Sequence, residues 1–480
     1  MGPRSSLLRN TLALSVPNAV NPFLSFVLVL VISRYLGVEG LGQYSLLQSF
    51  SLIFTTVASL GLGNLIVRQV TRRPEDIHLF FLNSVAFGVV SSLLAMLAMN
   101  ILVFVMRYDN EVLQAALVCS LSLIPGTAIR YIESIFRAVE RSEYIAAGYI
   151  VENSLRVAVC VPLVLYGYGI VAIFNAILGT RILGFFFMLY CYVQINGMPR
   201  WTFKAEIWRL LAREAPTFTG IAIFSTVHLN MAEIMLSKLQ SMEAVGIYSA
   251  AGRIVSICET LPMAFSLAVL PLLTKQSTSG LSELKESSVN SLRYVFLAIL
   301  PIVAGTIVLG DDIISLIYGS KFASAGPVLK FQAITMIPYG MLLVLAQLLI
   351  ATDNQKADLY INIAAVFVSL ILNFLFIPRL GEMGAVLAVL LTIIVFNHLQ
   401  YLYIRKLLFK ISFMDILKKP LLAALGMGAF TLLLKDWNIF FNVAASAVIY
   451  ILFLIILRAL SQEEMASLRR LFLLDKKGGN

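Results

Sequence analysis

Long apolar stretches alternate with short polar breaks along almost the whole chain of 480 residues. A membrane-spanning helix needs about 20 mostly apolar residues, and the breaks carry turn residues such as Gly37 and Gly40. The pattern predicts an all-α polytopic membrane protein. We predict about fourteen spans, at residues 11–35, 43–67, 78–106, 113–136, 144–166, 169–194, 214–237, 245–272, 289–309, 325–350, 357–377, 383–404, 415–434 and 438–458.

The composition leaves little room for a domain outside the membrane. Hydrophobic residues make up 59% of the chain and charged residues 13%, whereas soluble domains carry about 25% charged residues. The four cysteines lie in apolar stretches without the spacing of a metal site or a disulfide framework, so we expect no metal. The first apolar run is too long for a cleaved signal peptide and is interpreted as a retained span.

Basic residues collect at alternate breaks. With the N-terminus placed in the cytoplasm, 25 of the 36 lysines and arginines fall in predicted inner loops or at the inner ends of spans, 6 in outer loops or at outer ends, and 5 deeper within spans. This asymmetry is typical of membrane topology. We therefore attribute the net charge of +10 to orientation and not to nucleic-acid binding, and predict a cell-membrane protein with both termini in the cytoplasm.

Five basic residues lie within predicted spans: Arg130, Arg156, Arg181, Arg253 and Lys330. A charge at bilayer depth costs roughly 2.5–3.5 kcal/mol on insertion scales. A chain that retains several such charges is expected to enclose a wet, polar interior, and their sign favours an anionic cargo.

The two halves of the chain resemble each other. Residues 33–45 (SRYLGVEGLGQYS) align with residues 237–249 (SKLQSMEAVGIYS) at an offset of 204, and a weaker match pairs residues 138–140 with 351–353 at an offset of 213. Each half holds six predicted spans, so the halves share one orientation and are expected to be related by an axis along the membrane normal. Chance similarity between two helix–turn–helix segments is the alternative.

Two stretches, residues 34–68 and 243–271, resemble segments of the polysaccharide transporter family, the Wzx-like oligosaccharide flippases. The first contains LGVEGLGQYS and LGLG; the second contains EAVGIYSAA, followed by Pro262 and Pro271. This family belongs to the multidrug/oligosaccharidyl-lipid/polysaccharide flippase superfamily. The resemblance extends over essentially the whole chain in length, span number and repeat.

The resemblance implies two six-helix lobes around a central cavity, related by a pseudo-two-fold axis, with two further helices at the C-terminus. We accordingly expect an N-lobe at 1–195, a cytoplasmic amphipathic linker at 196–213, a C-lobe at 214–405, and spans 13–14 with a basic tail at 406–480. It also implies a flippase, not an enzyme, that moves a polyprenyl-diphosphate-linked oligosaccharide to the outer leaflet by alternating access for cell-surface polysaccharide biosynthesis. The expected partners are this cargo, membrane lipids and other polysaccharide-assembly proteins.

Arginine suits the phosphates of such a cargo because its guanidinium binds them through bidentate hydrogen bonds. Arg253 is the first choice, since no acid shares its helix face and its span lines the cavity in the family. A carboxylate partner on another helix is the alternative. Arg181 has no charged neighbour in sequence, so cargo binding and a structural bridge both fit.

The remaining basic residues have simpler interpretations. Arg156 follows Glu152 by four residues and Arg130 precedes Glu133 by three, which favours structural ion pairs over cargo binding. Lys330 is close enough to the outer end of its span to reach the surface. Uncharged polar residues of the first two spans are further cavity candidates, although hydrogen bonds between helices would also explain them; they are Asn18, Asn21, Gln48, Ser49 and Asn64.

Coupling to H⁺ or Na⁺ would use an ionisable group at bilayer depth. His228 and Glu233 in the seventh span and Glu259 in the eighth are the candidates, with separate structural contacts as the alternative. Asp311 and Asp312 are expected in a solvated outer loop.

Three other functions stay open. A cation-coupled multidrug antiporter would use the same fold, but it would need carboxylates and aromatic residues for cationic drugs. A lipid II flippase would differ only in its glycan. A membrane glycosyltransferase would need a substantial outer loop with a catalytic group, and every predicted outer loop is short.

Overall fold

The computed structural model describes residues 3–199 and 202–459, without the side chains of residues 3–22, 217, 221, 222, 224, 225, 228 and 229. This part of the chain is helical and contains no strand. Its helices are α1 Pro3–Ser59, α2 Gly63–Arg72, α3 Ile77–Val105, α4 Asn110–Leu121, α5 Leu123–Ala138, α6 Ser142–Leu165, α7 Ile170–Asn196, α8 Ala205–Leu239, α9 Met242–Ser279, α10 Leu281–Tyr318, α11 Ala325–Ala351, α12 Gln355–Leu407, α13 Phe413–Leu433 and α14 Ile439–Ile456.

Within the described residues, 11 helical segments are long and apolar enough to cross a membrane. The prediction of an all-α, multi-pass membrane protein is thus confirmed. Two of these segments, Phe23–Arg72 and Gln355–Leu407, contain a glycine with non-helical angles, Gly37 (φ 73°, ψ −164°) and Gly381 (φ 58°, ψ −134°). A straight helix of 53 residues would measure about 80 Å, far more than the roughly 30 Å of a hydrocarbon core. Each glycine therefore divides its segment into two helices, while the number fourteen stays a prediction.

The described chain divides into two compact units. The first unit comprises residues up to 250 together with 366–385, and the second comprises residues 251–365 together with those from 386 onwards. The boundaries predicted for the lobes stay predictions. Residues 205–213 of the predicted linker form the first turns of α8.

The core of the first unit lies where α2, α3, α5 and α7 meet. Ile66, Phe81, Ile132, Phe136 and Tyr192 are buried there, and the rings of Phe81 and Tyr192 stack with 4.1 Å between their centroids. This packing fixes which face of α5 is apolar, and so it also fixes which face is left for polar side chains.

The predicted internal repeat has matching local structure in its two copies. Ser33 donates a hydrogen bond to the carbonyl of Leu30 at 2.8 Å, and Ser237, which aligns with Ser33, donates to the carbonyl of Ile234 at 2.7 Å. Each hydroxyl therefore turns back to the carbonyl three residues earlier, at the same point of the repeat.

The weaker match at an offset of 213 is also visible in the backbone. Glu140 and Asp353 both adopt left-handed conformations, with φ of 57° and 59°, just after α5 and α11 end. In both copies, the N–H of the next residue donates a hydrogen bond to the carbonyl five residues before it. Arg141 donates to Phe136 and Asn354 donates to Leu349, each at 2.8 Å. This is the hydrogen bond of a Schellman helix end, so the two copies terminate their helices alike.

The two copies of the main repeat pack against each other at their glycines. A side-chain carbon at Gly42 would overlap the carbonyl oxygen of Met242, and one at Gly246 would overlap the carbonyl oxygen of Val38. In the repeat, Gly42 aligns with Gly246 and Val38 aligns with Met242, so the same contact is made twice. Reciprocal contacts of this kind are the mark of a two-fold relation.

The second unit corrects one expectation about its acidic residues. Asp311 and Asp312 were expected in an outer loop, which is wrong because α10 continues to Tyr318 and contains both. Lys330 on α11 reaches a partly exposed position, as expected, and there its ammonium group lies 2.5 Å from the Asp311 carboxylate, which is 50% exposed. The ion pair fits between the two helices because Gly310 and Gly326 leave room for it.

The glycine contact predicts a specific effect on stability. Alanine in place of Gly42 or Gly246 would press on a backbone carbonyl, and overpacking of this kind typically costs about 1–3 kcal/mol. We therefore expect Gly42→Ala and Gly246→Ala to lower the midpoint of thermal unfolding of the purified protein in detergent.

The matched control is Gly179→Ala, because a side-chain carbon at Gly179 would meet nothing within 4 Å. Alanine in such a helical position is usually stabilising by about 0.5–1 kcal/mol, so the midpoint should stay or rise. Equal midpoints for all three variants would contradict the close glycine contact.

Candidate functional site

A polar cavity of about 470 Å³ lies within the first unit. Its walls come from the end of α1, the start of α2, and α5, α6 and α7. We name it the arginine cavity after the four arginines that line it, which are Arg130, Arg137, Arg156 and Arg181.

One polar stripe of α5 forms a wall of the arginine cavity. Gly126, Arg130, Glu133, Ser134 and Arg137 all line it. Their spacing of three or four residues places them on one face of the helix. The opposite face is held in the apolar core described above, so the stripe cannot rotate away from the cavity.

A second stripe, on α6, lies opposite. Tyr149, Glu152, Asn153 and Arg156 follow the same helical spacing and line the cavity. The Glu152 carboxylate accepts from the Arg156 guanidinium at 2.6 Å, which confirms the predicted pair within α6. The same Glu152 oxygen, Oε1, also lies 3.4 Å from Nε of Arg181 on α7.

Two of these long side chains lie against glycines of neighbouring helices. A side-chain carbon at Gly126 would lie 3.5 Å from the Arg181 guanidinium, and one at Gly184 would lie 3.4 Å from the Glu152 side chain. Arg181 can therefore lie against α5, and Glu152 can lie against α7. Arg181 thereby lines the same cavity as Arg130.

Glu133 is the second acid of the arginine cavity. Its carboxylate lies 3.4 Å from the Arg137 guanidinium and accepts a hydrogen bond from the Tyr149 hydroxyl. We expected Glu133 to pair with Arg130, but within the described residues the ion pair is made with Arg137. Arg130 interacts with Glu133 only at longer range, and it also experiences the like charges of Arg181 and Arg137.

The charges of the cavity do not balance. Four arginines face two glutamates, and the side chains of Glu152, Arg156 and Arg181 are only 9%, 16% and 23% exposed. The buried Nε atoms of Arg156 and Arg181 lack a hydrogen-bond partner among the described residues. Because an uncompensated buried charge is costly, the cavity is suited to an anion that carries about two negative charges.

The structure brings Arg130, Arg156, Arg181 and Asn64 together in this one cavity. Arg253 is not among them. It lies on α9 in the second unit, partly buried, where it is close enough to interact electrostatically with Tyr318.

The other polar candidates of the first two spans do not line this cavity or lie outside the described residues. The Gln48 side-chain amide donates to the Tyr44 hydroxyl at 2.9 Å on the same helix. The side chains of Asn18 and Asn21 lie outside the described residues.

Among the coupling candidates, Glu233 joins three helices of the first unit. Its two carboxylate oxygens accept hydrogen bonds from Ser49 of α1 and from Ser249 of α9, the latter at 2.8 Å. Both hydroxyls are buried. Glu259 lies in the second unit near Tyr339, and the His228 side chain is outside the described residues. Glu233 thus joins α8 to α1, just after the first copy of the repeat, and to Ser249 in the second copy.

Several cavity residues were not among the predicted ones, including Arg137, Tyr149 and Asn153. We assigned Arg137 to an inner loop, but it belongs to α5. The helical spacing of polar residues in α5 and α6 was the available signal, because it marks one wet face on each helix.

Comparison with known families agrees with the fold. The family model described as "Polysaccharide biosynthesis protein" matches residues 7–277, and the MatE model matches residues 217–375.

Two relatives are similar over most of their length. The chain is 20% identical over 414 residues to the probable low-salt glycan biosynthesis flippase Agl15 of Haloferax volcanii, covering 82% of this chain and 83% of that protein. It is 22% identical over 333 residues to the succinoglycan biosynthesis transport protein ExoT of Rhizobium meliloti, covering 66% of this chain and 65% of that protein.

Two solved structures have a similar fold. The lipid II flippase MurJ in an inward closed conformation matches with a TM-score of 0.80 at 16% identity, over 92% of this chain and 98% of MurJ. An inward-facing multidrug resistance MATE family transporter of the MOP superfamily matches with a TM-score of 0.67 at 15% identity, over 85% of this chain and 99% of that transporter.

The charge imbalance predicts that a phosphate anion stabilises the folded protein. Inorganic diphosphate should raise the unfolding midpoint of the purified protein, since binding to the folded state alone adds stability. Removal of one charge-assisted contact costs about 1.5–3 kcal/mol, so Arg156→Gln and Arg181→Gln should each weaken the apparent diphosphate affinity about tenfold or more.

Arg72→Gln is the control, because Arg72 is exposed in the same unit and does not line the cavity. It should retain the full effect of diphosphate. A diphosphate response that is equal in Arg72→Gln and in both cavity variants would contradict an anion site there.

Proposed function

Because the chain belongs to the polysaccharide biosynthesis protein family, we propose that it is a flippase that moves a lipid-linked oligosaccharide from the inner to the outer leaflet of the cell membrane. The cargo is a glycan joined through a diphosphate to a polyprenyl lipid. The observation that carries this proposal is the arginine cavity, with its excess of positive charge among membrane-spanning helices.

The chemistry of the cavity suits the diphosphate. Arg130 makes no ion pair within the described residues, and Arg156 and Arg181 share a single carboxylate. Guanidinium groups bind phosphate oxygens in a planar, bidentate geometry, and about two negative charges on the cargo would offset the excess. Asn64 and Asn153, which also line the cavity, offer neutral hydrogen-bonding groups to sugar hydroxyls.

The two glutamates give the site a way to release its cargo. When no diphosphate is bound, Glu152 holds Arg156 and Arg181, and Glu133 holds Arg137. A phosphate must compete with these carboxylates, which keeps the net binding free energy small. A transport site needs such weak binding, because a cargo that is held too tightly does not leave.

Transport by alternating access would require the two repeat copies to separate and rejoin. The contact at Gly42 and Gly246 and the hydrogen bonds of Glu233 join those copies on the side that the charge pattern predicts as outer. We propose that binding of H⁺ or Na⁺ at Glu233 changes the balance between the joined and separated states. Arg253 stays a candidate second contact for the cargo.

A multidrug antiporter is the second candidate function, and the MatE match favours it. Its cationic substrates would be repelled by four arginines against two glutamates, so we rank it below an anionic cargo. A lipid II flippase would also carry a diphosphate, and the fold likeness to MurJ favours it equally at the level of charge. The proposed oligosaccharide flippase and a lipid II flippase differ in the glycan of their cargo. That glycan is identified by analysing the lipid that accumulates when the protein is missing.

Deletion of the gene should make a lipid-linked oligosaccharide accumulate on the inner leaflet. The variant Arg130→Gln/Arg181→Gln should restore less than a tenth of the wild-type surface polysaccharide, by loss of at least one charge-assisted contact of about 1.5–3 kcal/mol. Arg72→Gln should restore it fully at equal protein level in the membrane.

Full restoration by Arg130→Gln/Arg181→Gln would remove the arginine cavity from the cargo path. If Arg253→Gln alone failed at the same time, the cargo contact would lie in the second unit. Altered drug resistance without a glycan change would support the antiporter.

The proposed coupling at Glu233 predicts a distinct phenotype. Glu233→Gln keeps an acceptor for one serine but removes the charge, so the rate of flipping in vesicles should no longer respond to an imposed H⁺ or Na⁺ gradient. Glu243→Gln, an exposed acid in the same unit, is the control and should respond like the wild type. An undiminished gradient response in Glu233→Gln would exclude this residue as the coupling group.

A further inference from the structure

A second polar pocket, of about 870 Å³, lies in the second unit. It is formed by the first turns of α10, the last turns of α12, the start of α13 and the residues that follow α14. Five basic residues line it: Lys285, Arg293, Lys410, Lys419 and Arg458. We call it the basic pocket. The charge pattern predicts that all five lie on the cytoplasmic side of the membrane.

The acid in the lining of the basic pocket is already occupied. Asp415 accepts a hydrogen bond from the Ser412 hydroxyl at 2.5 Å and from the Lys418 ammonium at 3.3 Å. Its negative charge is therefore largely used within the first turn of α13. Among the described lining residues, Lys285, Lys410, Lys419 and Arg458 therefore bring more positive charge to one concave surface than Asp415 can offset.

The helices around the basic pocket are held together independently of any ligand. Lys419 donates to the carbonyl of Arg458 at 2.9 Å, which ties α13 to the residues after α14. The rings of Tyr401 and Phe413 meet edge to face with 5.1 Å between centroids, which ties α12 to α13. The basic residues thus project from a fixed frame, and their positions do not depend on one another's charge.

Apolar side chains lie directly beside the charges. Val289, Ile411 and Ile416 line the same pocket. On α13, Met414 and Leu422 are 64% and 56% exposed, as expected for residues that face lipid. A molecule that entered the basic pocket with an anionic group would therefore find an apolar surface next to it.

We propose that the basic pocket binds the phosphate headgroup of an anionic glycerophospholipid, with an acyl chain along α13. Clustered lysines and arginines at the cytoplasmic end of spanning helices attract anionic lipids. A soluble phosphate would use the charges but not the apolar surface. The site is separate from the arginine cavity, since the two are lined by residues of different units, and it does not depend on the proposed transport function.

The test is native mass spectrometry of the full-length protein, delipidated in detergent and titrated with phosphatidylglycerol, phosphatidylcholine or inorganic diphosphate. The variant is Lys285→Gln/Lys410→Gln. The control is Arg405→Gln/Lys406→Gln, which removes the same charge from exposed residues at the end of α12 that do not line the pocket. Retained phosphatidylglycerol is quantified against phosphatidylcholine in each protein.

The wild type should retain phosphatidylglycerol in preference to phosphatidylcholine. Each basic residue near a membrane surface contributes about fivefold to such binding, so the variant should lose roughly 20-fold and the control should lose little. The single variant Arg458→Gln should lose roughly fivefold, which provides a second readout if the double variant does not fold.

Three outcomes would overturn the proposal. An equal loss in variant and control would mean a general effect of surface charge. Equal retention of phosphatidylglycerol and phosphatidylcholine would mean that the pocket does not select lipids by the charge of the headgroup. The third outcome is that inorganic diphosphate binds as tightly as phosphatidylglycerol and that Lys285→Gln/Lys410→Gln abolishes this binding. That result would assign the pocket to a soluble phosphate compound.

Discussion

A guanidinium group that leaves water for the interior of a membrane protein must find charges or hydrogen-bond acceptors there, because its desolvation is not repaid by apolar contacts. The first unit meets this constraint with two acids for four arginines. The contacts around the arginine cavity reflect this shortage of acidic residues. Glu152 is shared between Arg156 and Arg181, and the Arg181 and Glu152 side chains lie against glycines of α5 and α7. The apolar core behind α5 holds the polar stripe of that helix toward the cavity. The remaining imbalance is the physical basis for an anionic cargo.

The internal repeat supplies the other half of the proposed mechanism. Its two copies touch through backbone at Gly42 and Gly246, where the absence of side chains permits a contact closer than most helices reach. Glu233 accepts hydrogen bonds from Ser249 of the second copy and from Ser49, which follows the first copy by four residues. A tight but small contact that one charge reinforces can be broken and re-formed without disturbing the apolar core of either copy. The proposed coupling site therefore lies where a change of a single charge has the largest effect on the separation of the copies.

The sequence predicts well what depends on local pattern. The apolar stretches, the turn at Gly37, the repeat around Gly42 and the pair Glu152–Arg156 are all local in sequence, and the structure contains each of them. The meeting of Arg130, Arg156 and Arg181 was not predicted, because it depends on how α5, α6 and α7 pack. For the same reason Asp311 was misplaced: hydropathy ended the span before the helix ended, and the partner Lys330 lies on another helix. The two polar stripes on α5 and α6 can be recognised in the sequence from the helical spacing of their polar residues. That spacing alone does not show that the two stripes face each other.

The most direct test of the central claim is to locate the diphosphate of the cargo. A lipid-linked oligosaccharide with a photoreactive group on the first isoprene unit, next to the diphosphate, would be bound to the full-length protein and cross-linked. The labelled residues would then be identified by mass spectrometry. The account predicts labels on α5 and α6 at or beside residues 126–137 and 149–156, reduced by excess inorganic diphosphate. Labels confined to the surroundings of Arg253, with none on α5 or α6, would contradict it.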